Sequence, residues 1–296
     1  MLLRAATRGS ALALWQTRHV GVLLAPHGVR VEEVVVSTTG DRDLDVPIHQ
    51  MGGKGVFVKE VQTAVLDGRA DIAVHSMKDL PSGVPEGLAL GAVPARADPR
   101  DALIGTRLRD LRTGATVATG SIRRKAQLAA MRPDLQFAEL RGNIATRLAK
   151  AADFDAIVMA AAALERLGER PPVVDVLDVG VMLPQVGQGA LAIEARADAP
   201  EVLGLLSLIQ DPTTRRLTDA ERSFLAELGG DCDLPAGAYA EVDGDQISLS
   251  SLLAAEDGST VLRDHRVGQM PEQLGSAAAI ALLDGGGRAL LERPPS

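Results

Sequence analysis

The stretch from Ala70 to Pro85, "ADIAVHSMKDLPSGVP", decides how the chain is read. Ile72, Ala73 and Val74 form a short apolar run without polar alternation. Such a run reads as a strand buried on both faces, as in a parallel sheet covered by helices. It empties into His75, Ser76, Lys78 and Asp79 and breaks at Pro81. Open parallel sheets bind their ligands outside the carboxyl ends of the strands, so ionisable residues here are placed for chemistry. Asp79 can serve there as acid, base or stabiliser of a cation. The competing reading makes it a helix N-cap with Lys78 as its surface neighbour.

The flanking sequence keeps the same rhythm. "GVFVKEVQTAVLDG" before it is an amphipathic helix stopped by Gly68, and "LALGAVP" after it is another strand. "LLRAAT" and "VRVEEVVVS" read as strands around the helix "SALALWQTRHVGVLLA", with Ser10 as its N-cap. A second unit begins near "ADPRDALIGT". It runs strand "ATVATG", helix "SIRRKAQLAAM", strand "LQFAEL", helix "NIATRLAKA", strand "FDAIVMA", helix "AAALERLG". The Gly-rich "LPQVGQGALAIEAR" then turns into a strand, where the chain crosses back to the first unit. From about Asp211 a long helix, "TRRLTDAERSFLAEL", leads to three strand-like runs and a last helix. The expected fold class is α/β: two units with mostly parallel sheets and a small C-terminal α+β domain. The expected boundaries are residues 1–96 with 189–211, residues 97–188, and residues 212–296.

Composition narrows the function. A net charge of −8 disfavours a general nucleic-acid or anionic-membrane surface, and 2% aromatic residues disfavour a base-stacking platform. One cysteine forms no internal disulfide, which fits the cytoplasm. Arg4, Arg8 and Arg18 interrupt the apolar residues at the N-terminus, so no export signal is expected. No run of about 20 apolar residues stands out as a membrane span. The five histidines show no metal-ligand spacing, and no metal is expected.

The positive charge is local. Between Ser121 and Lys150 seven basic residues face two acids, a charge of +5 within a chain of −8. Arg8, Arg123, Arg124 and Arg141 each follow a predicted strand. Helix N-termini at such places offer backbone N–H groups to anions, and Arg adds a fork that fits a carboxylate. The ligand inferred is a multiply charged anion; a solvated helix face is the alternative. "GGKG", from Gly52 to Gly55, precedes a helix without P-loop spacing and reads as an anion-binding nest or a lid. Cys232, in "GGDCDLPAG", sits between Asp231 and Asp233. Neighbouring carboxylates oppose thiolate formation, so this is a poor turnover nucleophile.

Eight stretches together resemble the hydroxymethylbilane synthase (porphobilinogen deaminase) family: "ATRGSALALWQT", "TTGDRDLD", "GGKGVFVKE", "ADIAVHSMKDLP", "TGSIRRKAQL", "LRGNIATRL", "LPQVGQGALAIE" and "CDLPAGAYA". They occur in the family's order over essentially the whole chain. The resemblance implies two periplasmic-binding-protein-like domains flanking a cleft, with the cysteine on a loop of a third. It implies four condensations of porphobilinogen with loss of ammonia on a covalent dipyrromethane primer, then hydrolytic release of linear hydroxymethylbilane. Cys232 then matches the residue that bears the dipyrromethane through a thioether. Made once, that bond needs no depressed thiol pKa.

By the same resemblance Asp79 is catalytic, assisting loss of ammonia and stabilising the cation that results. Ser76, Lys78, Ser121, Arg123 and Arg124 bind the cofactor. Arg8, Ser10, Gln16, Lys54, Arg141, Arg147 and Arg166 bind the acetate and propionate groups of the substrate. A monomer acting on a small molecule is implied, with no nucleic-acid or membrane partner. Three positions depart from the family pattern: Asp231 before the cysteine, Gln50 for a lysine, and Ala163 for a glycine. Two other classes remain, a non-catalytic anion receptor and a thiol-dependent acyl transferase. The first has no use for Cys232; the second needs a nearby histidine.

Overall fold

The computed structural model describes residues 1–37, 58–229 and 234–292 of the chain. Lys54, Gln50, the "GGKG" segment, Asp231 and Cys232 lie outside the described residues. The chain runs β1 (Leu2–Arg8), α1 (Ala11–Leu24), β2 (Arg30–Val36), α2 (Lys59–Leu66), β3 (Ile72–Ser76) and β4 (Leu88–Ala92). It continues through β5 (Asp101–Ile104), β6 (Thr116–Ala118), α3 (Ile122–Met131), β7 (Gln136–Ala138), α4 (Ile144–Ala149), β8 (Ala156–Ala160), α5 (Ala161–Leu167) and β9 (Val174–Val176). Then come β10 (Leu191–Arg196), α6 (Pro200–Ser207), α7 (Pro212–Glu227), β11 (Ala236–Asp243), β12 (Gln246–Ala254), β13 (Val261–Gly268) and α8 (Pro271–Leu282).

These elements form two compact units, Met1–Ala97 with Gly189–Arg216, and Asp98–Gln188 with Leu217–Ser296. The first unit has one sheet in the order β2-β1-β3-β10-β4. β1 pairs parallel to β2 and β3, whereas β10 pairs antiparallel to β3 and β4. The second unit repeats this plan in the order β7-β6-β8-β5-β9, with β6 parallel to β7 and β8, and β5 antiparallel to β8 and β9. Both sheets are therefore mixed, where the sequence suggested mostly parallel ones. A crossover helix makes its two strands parallel, but β5 and β10 arrive from connections that carry no such helix and insert the other way round.

The helices begin where side chains can satisfy their first N–H groups. Ser10 accepts from Ala13, Ser121 from Arg124 and Asn143 from Thr146. Beyond α2, Gly68 takes a φ of 72°, a left-handed conformation that stops the helix where the sequence indicated. Leu3, Leu24, Ile72, Ile193 and Leu206 close the first core, and Leu103, Val117, Leu128, Val158 and Met182 the second. Full burial of each such side chain contributes about 1.5–3 kcal/mol.

The second unit also holds a three-stranded antiparallel sheet, β11-β12-β13. Ala220 and Phe224 of α7 and Ala278 and Leu282 of α8 pack with Ala238, Leu249 and Leu253 of this sheet. The stretch Pro271–Leu291 is long and apolar enough to cross a membrane by composition, which the sequence reading did not single out. Its apolar residues Leu274, Ala278, Ala279 and Leu282 belong to this core, and Gly286, at φ 114°, interrupts it.

Candidate functional site

In the first unit β1 and β3 are parallel, so their last residues share one sheet edge. Arg8 ends β1 and Ser76 ends β3, both half-buried. Buried Gln16 of α1 donates to the Ser76 hydroxyl at 2.7 Å. Ser10 spends a lone pair capping that helix, accepting from Ala13 at 3.3 Å. After Ser76 the chain makes one 3-10 turn, Met77–Asp79. Met77 and Leu80 are buried at its two ends, and the Met77 N–H donates to the Ala190 carbonyl at 3.0 Å. Lys78 and Asp79 lie between these anchors, half-buried. Asp79 is thus not the N-cap of a following helix. It is an accessible carboxylate on a turn fixed at both ends.

Beneath this edge lies a polar cluster the sequence did not reveal. His75 Nε2 stands 3.2 Å from Glu194 Oε2, with side chains 4% and 1% exposed. Gln62 of α2 donates to the same oxygen at 2.8 Å.

In the second unit β6, β7 and β8 are parallel, and their carboxyl ends again share an edge. Ser121 follows β6 as the N-cap of α3, and Arg123 and Arg124 occupy its first turn. They are not a solvated helix face: Arg123 is 3% and Arg124 6% exposed. The carboxylate nearest both is the chain's own Asp101, with no exposed surface. Arg123 Nη2 is 2.8 Å from Asp101 Oδ2, and Arg124 Nη2 is 2.8 Å from Oδ1. Arg124 Nε also donates to Oδ1 at 3.0 Å, and its Nη1 to the Val158 carbonyl at 3.0 Å. Arg123 Nη1 donates to the Leu183 carbonyl. The Arg123–Asp101 pair is close but poorly aligned, and Arg123 Nε is buried without an acceptor among the described residues.

Burial would raise the Asp101 carboxyl, but the two guanidiniums and Gln188 outweigh it and hold it at about 2. Burial pushes Arg123 down. Two cations on one anion leave an excess positive charge.

On other elements of the same unit, Arg141 follows β7, with Nε 3.4 Å from Glu139. Arg147 Nε on α4 donates to the Gly142 carbonyl at 2.7 Å. Arg166 on α5 is pushed by burial to about 10 and stays protonated at neutral pH. Ala163 sits buried in α5, a helical position that needs no glycine. Of the candidate residues described, Arg8, Ser10, Gln16, Ser76, Lys78, Ser121, Arg123, Arg124, Arg141, Arg147 and Arg166 are donors or cations, and Asp79 is the one carboxylate. Among the described residues no group of acids and histidines could hold a metal ion. The donor chemistry and the unmatched Arg123 Nε fit a group bearing carboxylates.

Residues 3–204 match the family described as "Porphobilinogen deaminase, dipyromethane cofactor binding domain", and residues 216–284 match "Porphobilinogen deaminase, C-terminal domain". The chain belongs to the porphobilinogen deaminase family. A porphobilinogen deaminase from Roseiflexus castenholzii is 48% identical over 294 residues, covering 96% of this chain and 97% of that protein. The one from Syntrophobacter fumaroxidans is 45% identical over 300 residues, covering 98% and 97%. Among solved structures, the chain is distantly similar to a periplasmic substrate-binding protein from Coxiella burnetii (TM-score 0.40, 16% identity, 72% of this chain and 94% of that one). The methionine binding protein MetQ gives a TM-score of 0.43 at 11% identity, over 72% of this chain and 92% of that one.

Sequence reasoning missed Asp101, Gln188 and the His75–Glu194–Gln62 cluster. A signal for Asp101 existed. It heads "DALI", a fully buried four-residue strand, and a carboxylate buried there demands a cation.

Proposed function

We propose that this member of the porphobilinogen deaminase family acts as a hydroxymethylbilane synthase, with Asp79 as its catalytic acid–base. The observation that carries the reading is the turn Met77–Asp79, which presents Lys78 and Asp79 at the carboxyl edge of a buried strand. As a carboxylic acid, Asp79 gives a proton to the departing aminomethyl nitrogen of porphobilinogen. As a carboxylate, it stabilises the positive charge left on the pyrrole and later accepts the proton whose loss restores aromaticity. Lys78 and Arg8 pair with the substrate's acetate and propionate groups from the same edge, and Gln16 orients Ser76 for the same task. Arg141, Arg147 and Arg166 supply the corresponding cations in the second unit. Lys54 is assigned with them from the sequence.

The dipyrromethane, when bound, supplies the primer pyrrole to which rings are added. Cys232 would hold it covalently. Ser76, Lys78, Ser121, Arg123 and Arg124 would hold its carboxylates. Residues 212–296 are read as the domain that carries the cysteine, supported by their own sheet and the core around Phe224. The reading extends to a cytoplasmic monomer working on a small molecule, in keeping with a net charge of −8 and a single cysteine.

The test is Asp79→Asn, which keeps the shape and removes the charge. Steady-state release of ammonia from porphobilinogen should fall by about 10²-fold or more, with the melting temperature unchanged. Turnover within tenfold of the wild type would take Asp79 out of this role.

A further inference from the structure

We propose that Asp101 is a positioning residue for Arg123 and Arg124, fixing the orientation in which they meet the carboxylates of the cofactor. The proposal rests on the reading that this arginine pair holds the cofactor. Arg123 and Arg124 are adjacent in the first turn of α3, where the helix dipole already places positive charge. Left alone, two neighbouring guanidiniums would repel and turn towards water. Asp101 prevents this with one oxygen for each. Oδ1 takes Arg124 through Nε and Nη2, and Oδ2 faces Arg123 Nη2 at 2.8 Å.

The carboxylate is itself anchored. Gln188 Nε2 donates to Asp101 Oδ1 at 2.9 Å and to the Pro99 carbonyl at 2.7 Å. Strand polarity explains the position. β5 runs antiparallel to β8, so Asp101, its first residue, lies beside Ala160, the last residue of β8. That is the edge at which β6 delivers the two arginines. The count of charges matters as much as the geometry. One carboxylate between two guanidiniums fixes both and neutralises only one of them, so attraction for a further carboxylate remains. Asparagine could not replace it, because it would turn an NH₂ group towards one of the cations.

The experiment uses the full-length chain prepared as apoprotein and incubated with preformed hydroxymethylbilane. Intact mass gives the fraction of chains that carry the covalent adduct, at a series of ligand concentrations. For Asp101→Asn the half-saturating concentration should rise by about tenfold, the loss expected for a charge-assisted contact, with the limiting rate little changed. Asp101→Glu should recover only part of this, since it restores the charge one methylene out of place. Gln188→Leu, which leaves both arginine pairs intact, should shift the concentration by roughly threefold.

A purely structural role would lower the folded fraction and leave the half-saturating concentration where it was. Folded Asp101→Asn that loads like the wild type, while Arg123→Leu does not, overturns the proposal. Should Asp101→Asn fail to fold, Gln188→Leu decides, and wild-type loading by that variant overturns it. If Arg123→Leu and Arg124→Leu both load normally, the underlying reading of the arginine pair has failed, and this proposal falls with it.

Discussion

Gly237, the second residue of β11, lies where a strand of the C-terminal sheet presses on the segment that anchors Arg123. A Cβ built there meets the Pro184 carbonyl oxygen at 2.8 Å, the Leu183 carbonyl oxygen at 3.1 Å and Arg123 Cδ at 3.3 Å. Ordinary contact begins near 3.4 Å, so Gly237→Ala must open this packing by roughly 0.6 Å. The obstacle is backbone, and it is held. Leu183 N–H donates to Gln127 Oε1 at 2.9 Å, and its carbonyl accepts from Gln127 Nε2 at 3.0 Å as well as from Arg123. Moving it strains or breaks a charge-assisted hydrogen bond in addition to the steric cost.

Overpacking of this kind costs about 1–3 kcal/mol. With roughly 2–4 °C of melting temperature per kcal/mol for a chain of this class, the expected drop is about 2–12 °C by calorimetry. Gly204→Ala serves as the control, because Gly204 sits within α6 with nothing within 4 Å of the added carbon. It should stabilise by about 0.5–1 kcal/mol. The packing argument is wrong if Gly237→Ala melts within 1 °C of the wild type, a margin of about 0.3 kcal/mol.

Arg123→Lys and Arg124→Lys should each load cofactor poorly, since an ammonium cannot present two parallel donors to one carboxylate; a fully active double Lys variant contradicts this. Acid should destabilise the second unit in a defined window. Asp101 falls from an ordinary 3.8 to about 2 in the fold. Its depressed pKa contributes roughly 2 kcal/mol that is fully present above about pH 4 and disappears as pH falls through 2. Denaturant melts between pH 5 and 2 measure this, and the decline should be smaller in Asp101→Asn; equal declines would refute the linkage. Cys232→Ala should lack the covalent adduct in its intact mass and melt below the loaded enzyme, by more at low salt, where repulsion among the arginines of the second unit is least screened. A gap independent of salt would remove the electrostatic part of that explanation.

Local patterns carried most of the fold. Ser10, Ser121 and Gly68 mark helix ends by their own chemistry, and apolar runs such as that of Ile72, Ala73 and Val74 declare buried strands within a few residues. β5, β9 and α6 escaped the sequence reading, which opened the second unit at "ADPRDALIGT" without a strand there. β9 spans three residues, Val174–Val176, and the period of two needs more. α6 is rich in leucine and starts from Ala199 without a capping side chain. Strand direction was illegible for β5 and β10, because it depends on neighbours far away in the chain. The same holds at the site. Asp79, Arg123 and Arg124 stand in recognisable strings, whereas their supports come from elsewhere: Asp101 from β5, Gln188 from the approach to β10, and Glu194 on β10 across from the strand of His75. Charge pairing over such separations is created by the sheet order, and no local pattern encodes it.

The placement of β10 has a consequence for how the chain is made. It is the strand between β3 and β4, yet the ribosome completes β4 at Ala92 and does not reach Leu191 until 99 residues later. At about 5–20 residues per second, that interval lasts roughly 5–20 s. Throughout it the facing edges of β3 and β4 have no partner, and Ile193, which completes the first core, does not yet exist. Residues 98–188, whose sheet is encoded without interruption, can close first. The part of the protein synthesised earliest, including the turn that bears Asp79, is therefore among the last to become native. A nascent chain stalled before residue 191 should expose these strand edges to proteases and chaperones while its later-made neighbour is already folded.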